Sequence, residues 1–356
     1  FMSPFLIGKG VDIVVAGLLQ TLGLVILIVV LLNNGVIADK IKNPKKVLKI
    51  SLYGSAFSFL LFLLSNGVTL AVIGFLLIWM FFMPLAPIID SIALTSVDSS
   101  KYATVRSFGS LGAATSYLIN GYLLGGDVFS YMLIMCIGLS LYMVYLTNKL
   151  QVPQVLSKIS YKEGIKEVAK NKNLLLIFLV TFLTYGSLTA GGAYQAKFAT
   201  EVVMFTGAFY GFMGFSSIFL ESFVMRMRST KLSKFSDKTL LMTCCILLGL
   251  VFITKATLYM YPVVMFFINF LTGVYIALFV PIVIGMINSS VDGSVRNTVL
   301  SLYQISFKIG GVVLGVFTSM YLATTNQIQS IYELHALFVL IAVVILVFVK
   351  FNKKTI

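Results

Sequence analysis

Acidic residues are scarce in this chain. There are 12 Asp and Glu against 26 Lys and Arg, and charged residues make up only 11% of the 356 positions. A soluble domain carries about a quarter, so a soluble fold with a charged surface is excluded. His335 is the single histidine and Trp79 the single tryptophan. The three cysteines, Cys136, Cys244 and Cys245, lie inside apolar runs. With no metal-ligand spacing and no disulfide framework, they read as small core residues, and no metal or other cofactor is expected. HExxH, P-loop, GxSxG and GxGxxG patterns are also missing, so neither an enzyme nor an ATP-driven pump is expected.

What is abundant is apolar surface, at 59% of the residues. Stretches of about 20 apolar residues match the length a helix needs to cross about 30 Å of hydrocarbon. They form runs, without the period-two alternation of an outer-membrane barrel. Eleven spans are predicted, near 12–36, 48–65, 69–93, 104–125, 128–148, 174–197, 206–230, 239–256, 260–287, 297–323 and 334–350. The net charge of +14 does not point to nucleic acid, because the cations cluster between the spans. Segments 37–49, 95–106, 149–173, 226–238, 289–297 and 350–354 carry 22 of the 26 Lys and Arg. Lys9, Lys197 and Lys255 fall on the opposite side and Lys308 lies within a span. This asymmetry predicts a multi-pass protein of the cell membrane with these clusters and the C-terminus in the cytoplasm.

The longest polar segment, 151–173, divides the chain into halves 1–150 and 174–356. Ser160 and Glu163 form a capping-box pattern for a short helix there, whose lysines would face anionic lipid; a flexible linker is the alternative. Across this divide runs a repeat. Pro87, Ile88, Ser96, Val97, Asp98, Ser100, Thr104, Val105, Ser107 and Gly121 each recur 194 residues later, and so do Gly17 and Lys40. The expected fold is therefore an all-α membrane protein built of two parallel six-helix repeats. The span at 174–197 has no first-half partner at this offset beyond the first few residues. A first helix is thus expected to be missing from the sequence as it stands, leaving 11 visible spans.

The motifs resemble the major facilitator superfamily. Gly35, Asp39, Lys45 and Lys46 in GVIADKIKNPKK match its loop signature between the second and third helices, and LSKFSDK at 232–238 stands in the matching second-half position. Within the superfamily, VRSFGSLG at 105–112, PIID at 87–90, Glu221 and FKIGG at 307–311 are similar to the branch that holds lactose permease, nucleoside permease and phenylpropionate permease. The resemblance implies a secondary transporter. It departs from lactose permease near Thr272 to Tyr275, which holds neither His nor Glu, and at Ala113, where that branch stacks an aromatic ring on the sugar.

Charges inside a bilayer are costly and mark function or pairing. Asp90, Arg106, Glu221 and Lys308 are the candidates for substrate binding or coupling. Asp90 and Arg106 would meet across the fourth and fifth helices of a complete bundle. Glu221 has no basic neighbour in its own helix before Arg226 and suits a proton carrier. Lys308 would compensate a carboxylate, Glu221 first and Asp90 next. Trp79, Tyr185, Gln195, Asn269, Tyr275 and Gln304 are candidate cavity-lining groups, with helix–helix hydrogen bonding as the plain alternative. His335 reads as an interfacial histidine. The expected activity is proton-coupled symport of a small polar solute, a sugar, oligosaccharide or nucleoside, by a monomer in contact with membrane lipids. An exporter of an amphipathic or lipid-like compound, or a transport-inactive sensor, are the other readings.

Overall fold

In the computed structural model the described residues are 2–41, 44–86, 88–89, 92, 99–123, 129–150, 161–228, 232, 234–291 and 293–349. They are helical or connecting turns, and they fall into two compact units, residues 1–158 and 159–356.

The first unit contains α1 (Met2–Gly8), α2 (Ile13–Ile41), α3 (Pro44–Leu63), α4 (Val68–Phe81), α5 (Ser99–Leu123) and α6 (Phe129–Lys149). Gly10 takes φ +93 in the turn after α1, a conformation that favours glycine. Asp12 then caps α2, its Oδ1 accepting from the Val14 and Val15 amides at 2.8 and 3.3 Å. Helix α2 runs on to Ile41, so Gly35 and Asp39 of the expected loop signature are helical. The span expected over 69–93 is a 14-residue helix, α4, followed by a turn at 82–84. Packing joins α2 to α4, α3 to α4 and α3 to α6.

The second unit contains α7 (Tyr161–Lys170), α8 (Lys172–Gly192), α9 (Gln195–Lys197), a π-helical turn (Phe198–Val202), α10 (Gly207–Arg228), α11 (Asp237–Thr257), α12 (Pro262–Ser290), α13 (Gly293–Thr325) and α14 (Ile331–Phe348). The Asn171 side chain caps α8 through the amides of Asn173 and Leu174, and Ser236 caps α11 through the amide of Thr239. Helix α12 opens on Pro262, where the missing N–H is harmless, and carries Pro281 in its interior. The short helix expected within the polar segment is α7, packed on α13 and α8; Ser160 of the capping-box pattern lies outside the described residues.

The repeat is visible in the helix starts. Adding 194 to Ile13, Val68 and Ser99, the first residues of α2, α4 and α5, gives Gly207, Pro262 and Gly293, the first residues of α10, α12 and α13; α3 and α11 agree within one residue. Neighbours repeat as well. The contacts of α2 with α4, α3 with α4 and α3 with α6 recur as α10 with α12, α11 with α12 and α11 with α14. Crossings recur with their parts exchanged. In the first unit a Cβ on Gly23 of α2 would collide with the Trp79 ring of α4. In the second unit the large and small partners swap helices, and a Cβ on Gly273 of α12 would collide with the Ser217 carbonyl oxygen of α10. Gly273 and Ser217 stand 194 residues after Trp79 and Gly23. Another close approach is between α8 and α13, where a Cβ on Gly186 would lie 2.7 Å from the Gly310 carbonyl carbon. Small residues at such crossings let backbones pack where lipid offers no hydrophobic drive between helices.

Nine helices among the described residues are long and apolar enough to cross a membrane: α2, α3, α6, α8 and α10 through α14, the last counted from Ile328. Of the eleven expected, α4 is too short and α5, which carries Lys101 and Arg106, is not among the nine.

Candidate functional site

Lys308 lies midway along α13. It is half-buried, and its ammonium sits 5.0 Å from the centroid of the neighbouring Phe307 ring. The close crossing at Gly186 and Gly310 brings Tyr185 of α8 against Phe307, ring centroids 4.7 Å apart. Tyr185 also approaches Tyr275 of α12 at 6.4 Å, and the Tyr275 hydroxyl donates to Thr184 Oγ1 at 2.8 Å. Gln304, one helical turn before Lys308 and so on the same face, is exposed. This is a cation and an amide beside an aromatic pair inside an apolar span.

The second unit holds another polar group whose centre the sequence reading passed over. Lys255, expected on the outer side, is 4% exposed near the C-terminal end of α11. Its ammonium donates to Gln195 Oε1 at 3.1 Å, and Gln195 Nε2 donates in turn to Asn269 Oδ1 at 3.2 Å. Ser217 Oγ donates to the Asn269 carbonyl at 3.2 Å. Lys255 also lies 5.3 Å from the Tyr332 ring centroid. Four helices and one aromatic face thus meet around one buried ammonium. Gln195 reaches it because α8 ends at Gly192 and the chain re-enters a short helix, then a π-helical turn. Such turns often mark functional positions in helices.

His335 is enclosed by protein. It is fully buried, packed on Phe252 with Thr318 Oγ1 3.3 Å from its Nε2, while its Nδ1 and the Tyr332 hydroxyl have no hydrogen-bond partner among the described residues. An imidazole can be enclosed because Gly191 faces it; a Cβ there would lie 3.2 Å from the ring.

Of the other expected residues, Trp79 and Tyr275 are packed into the cores of their own units, 6% and 0% exposed, rather than lining an open surface. Asn269 is buried in the Lys255 network, and Gln195 is half-buried there. Glu221 is half-buried on α10, four and seven residues after Ser217 and Gly214 and therefore on the face that packs on α12. An ion pair of the second unit joins Lys197 to Glu201 at 3.4 Å, whereas Lys308, expected to compensate Glu221, lies over Phe307. Asp90 lies outside the described residues. Arg106, Gly35 and Asp39 are placed on α5 and α2, with their side chains outside the described set. Lys45 has a structural role: its ammonium donates to the carbonyls of Asn148 and Leu150 at the end of α6, at 2.7 and 2.9 Å. Lys238 does the same for α14 through the Val347 carbonyl at 3.0 Å. A cation on orphan C-terminal carbonyls is favourable. Lys46 is exposed on α3.

The family model described as MFS_1 like family matches residues 1–334. The chain belongs to the major facilitator superfamily. An uncharacterized transporter of Bacillus subtilis (strain 168), YwbF, is 26% identical over 303 residues, 81% of this chain and 72% of that protein. Among solved structures, a variant of the nucleoside transporter NupG matches with a TM-score of 0.82 at 16% identity, over 97% of this chain and 93% of that one. The D-xylose-proton symporter matches with a TM-score of 0.75 at 12% identity, over 98% and 91%. Members of this superfamily are transporters, and this chain is a multi-pass membrane transporter rather than an enzyme.

Proposed function

We propose that this transporter is a proton-coupled symporter of a small polar solute of the sugar, oligosaccharide or nucleoside class, working by alternating access between its two halves in the cell membrane. The observation that carries this is the Lys308–Gln304 face of α13 beside the Tyr185–Phe307 ring pair. Rings bind the apolar faces of sugars and nucleobases, and the amide and ammonium bind their polar edges. The similar solved structures include a nucleoside transporter and a proton symporter of D-xylose. In this reading Glu221 and Asp90 carry the proton and Arg106 contributes a planar donor fork to the solute.

A second reading, export of an amphipathic compound, is favoured by one feature. Phe205, just before α10, Phe209 and Phe212 on α10, and Phe266 on α12 form a run of ring contacts at centroid distances of 4.7, 5.2 and 5.9 Å. Proteoliposomes separate the two. Uptake of labelled sugars or nucleosides should rise several-fold under an imposed inward proton gradient and collapse with a protonophore. Gradient-independent uptake of every polar probe, with efflux of an amphipathic dye, would favour export.

A further inference from the structure

We infer that the solute bound at the Lys308 site is a monocarboxylate built on a ring, a sugar acid or a carboxylated nucleoside, which rests on the reading of that site as the solute site. Lys255 and Lys308 both lie on apolar spans of the second unit, and the structure treats them differently. Lys255 is enclosed and has an amide oxygen at 3.1 Å as well as a ring face. Lys308 has the Phe307 ring at 5.0 Å and makes no hydrogen bond or ion pair with any described residue. A ring face compensates an ammonium only in part, and an uncompensated charge in a span is costly.

Lys308 is also the one of the two left within reach. Lys308 is half-buried and Gln304 on its own face is exposed, whereas Lys255 is 4% exposed. An incoming carboxylate supplies the missing counter-charge one for one. A neutral solute leaves the ammonium uncompensated, and a dianion brings a surplus negative charge into the span. The remaining features define the rest of the molecule. The Tyr185 and Phe307 rings, fixed by the Gly186–Gly310 crossing, offer flat apolar surface to a ring. The Gln304 amide offers one donor and one acceptor side to a hydroxyl or a base edge. Pyranose acids and nucleoside acids share this chemistry, and matched probes tell them apart.

The test uses the full chain purified in detergent, with thermal stabilisation as the binding readout, and the same protein in proteoliposomes for uptake. The probes are glucuronate against glucose, and orotidine against uridine; each pair differs in a carboxylate. The carboxylate member of one pair should bind at least about tenfold more tightly than its neutral partner, because only it pairs with the ammonium. Lys308→Met should remove that difference while leaving size-exclusion behaviour intact, and Lys308→Arg should keep most of it. Equal or tighter binding of the neutral members, or an unchanged preference in Lys308→Met, overturns the inference while proton-driven uptake of the neutral members leaves the parent reading standing. Binding of none of the four overturns it too. Gradient-driven uptake of other polar solutes would then keep the symport reading, and its absence would remove both.

Discussion

The two halves share helix starts and neighbour pattern, yet differ in what they bury. In the first unit, the hydroxyls of Thr21, Ser55, Ser58, Ser140 and Thr147 turn back on carbonyls of their own helices. In the second, side chains bridge between helices: Lys255 to Gln195, Gln195 to Asn269, Tyr194 to Ser319, Tyr275 to Thr184. Position by position, the residues 194 before Glu221, Lys255, Asn269 and Lys308 are Leu27, Leu61, Phe75 and Ala114. The residues 194 after Asp90 and Arg106 are Ile284 and Leu300. One scaffold therefore serves twice because its packing depends on apolar spacing and small residues at crossings, which tolerate a few polar exchanges. Chemistry is written by those exchanges, and each half carries its own.

The comparison can be broken at the shared scaffold first. Gly310→Leu should abolish folded protein, since even a Cβ at Gly310 meets the Phe182 carbonyl oxygen, and overpacking costs about 1–3 kcal/mol before backbone is displaced. Yield and monodispersity by size exclusion check this; a monodisperse, thermally unchanged variant would refute the crossing. The polar exchanges come next. Gln195→Leu should cost about 3–5 kcal/mol, because it strips a buried ammonium of its oxygen partner, whereas Lys255→Met, which restores the first unit's apolar character, should cost far less. Thermal melts in detergent rank the two, and the reverse order would show that the network is not what holds the second unit. Asp90→Asn, in the half without the Lys255 network, should abolish gradient-driven accumulation while leaving size-exclusion behaviour unchanged; retained accumulation would remove Asp90 from coupling. Smallest is the pair Lys45→Met and Lys238→Met. Each loses a cation from helix C-terminal carbonyls and should lower stability by about 0.3–1 kcal/mol, alike in both units. A large effect in one unit alone would show that these clamps are not equivalent.

Much of this was legible in the sequence. Run length and charge alternation located the helices, and the 194-residue offset predicted helix starts that coincide to the residue in three pairs. Lys255 was not legible. At the end of the run ILLGLVFITK it has the same pattern as a lysine reaching to an interface; only the break after Gly192, which brings Gln195 over it, makes it buried. The burial of His335 was not legible for the same reason, since it depends on a glycine on another helix that makes room for the ring. Trp79 looked like a cavity-lining ring because it is an aromatic group with a polar handle in an apolar run. Its place is the notch of Gly23, a pairing of two distant positions that no local pattern reveals.

That notch has a counterpart whose meaning is electrical. Where the first unit fills the crossing with an indole, the second leaves it to Gly273, and the backbones of α10 and α12 draw together. Ser217 can then hold the Asn269 carbonyl, which fixes the amide that orients Gln195 towards Lys255. The volume surrendered by one side chain becomes the insulation and wiring of a buried charge, so a change of size at this crossing is also a change in where the protein can keep a cation.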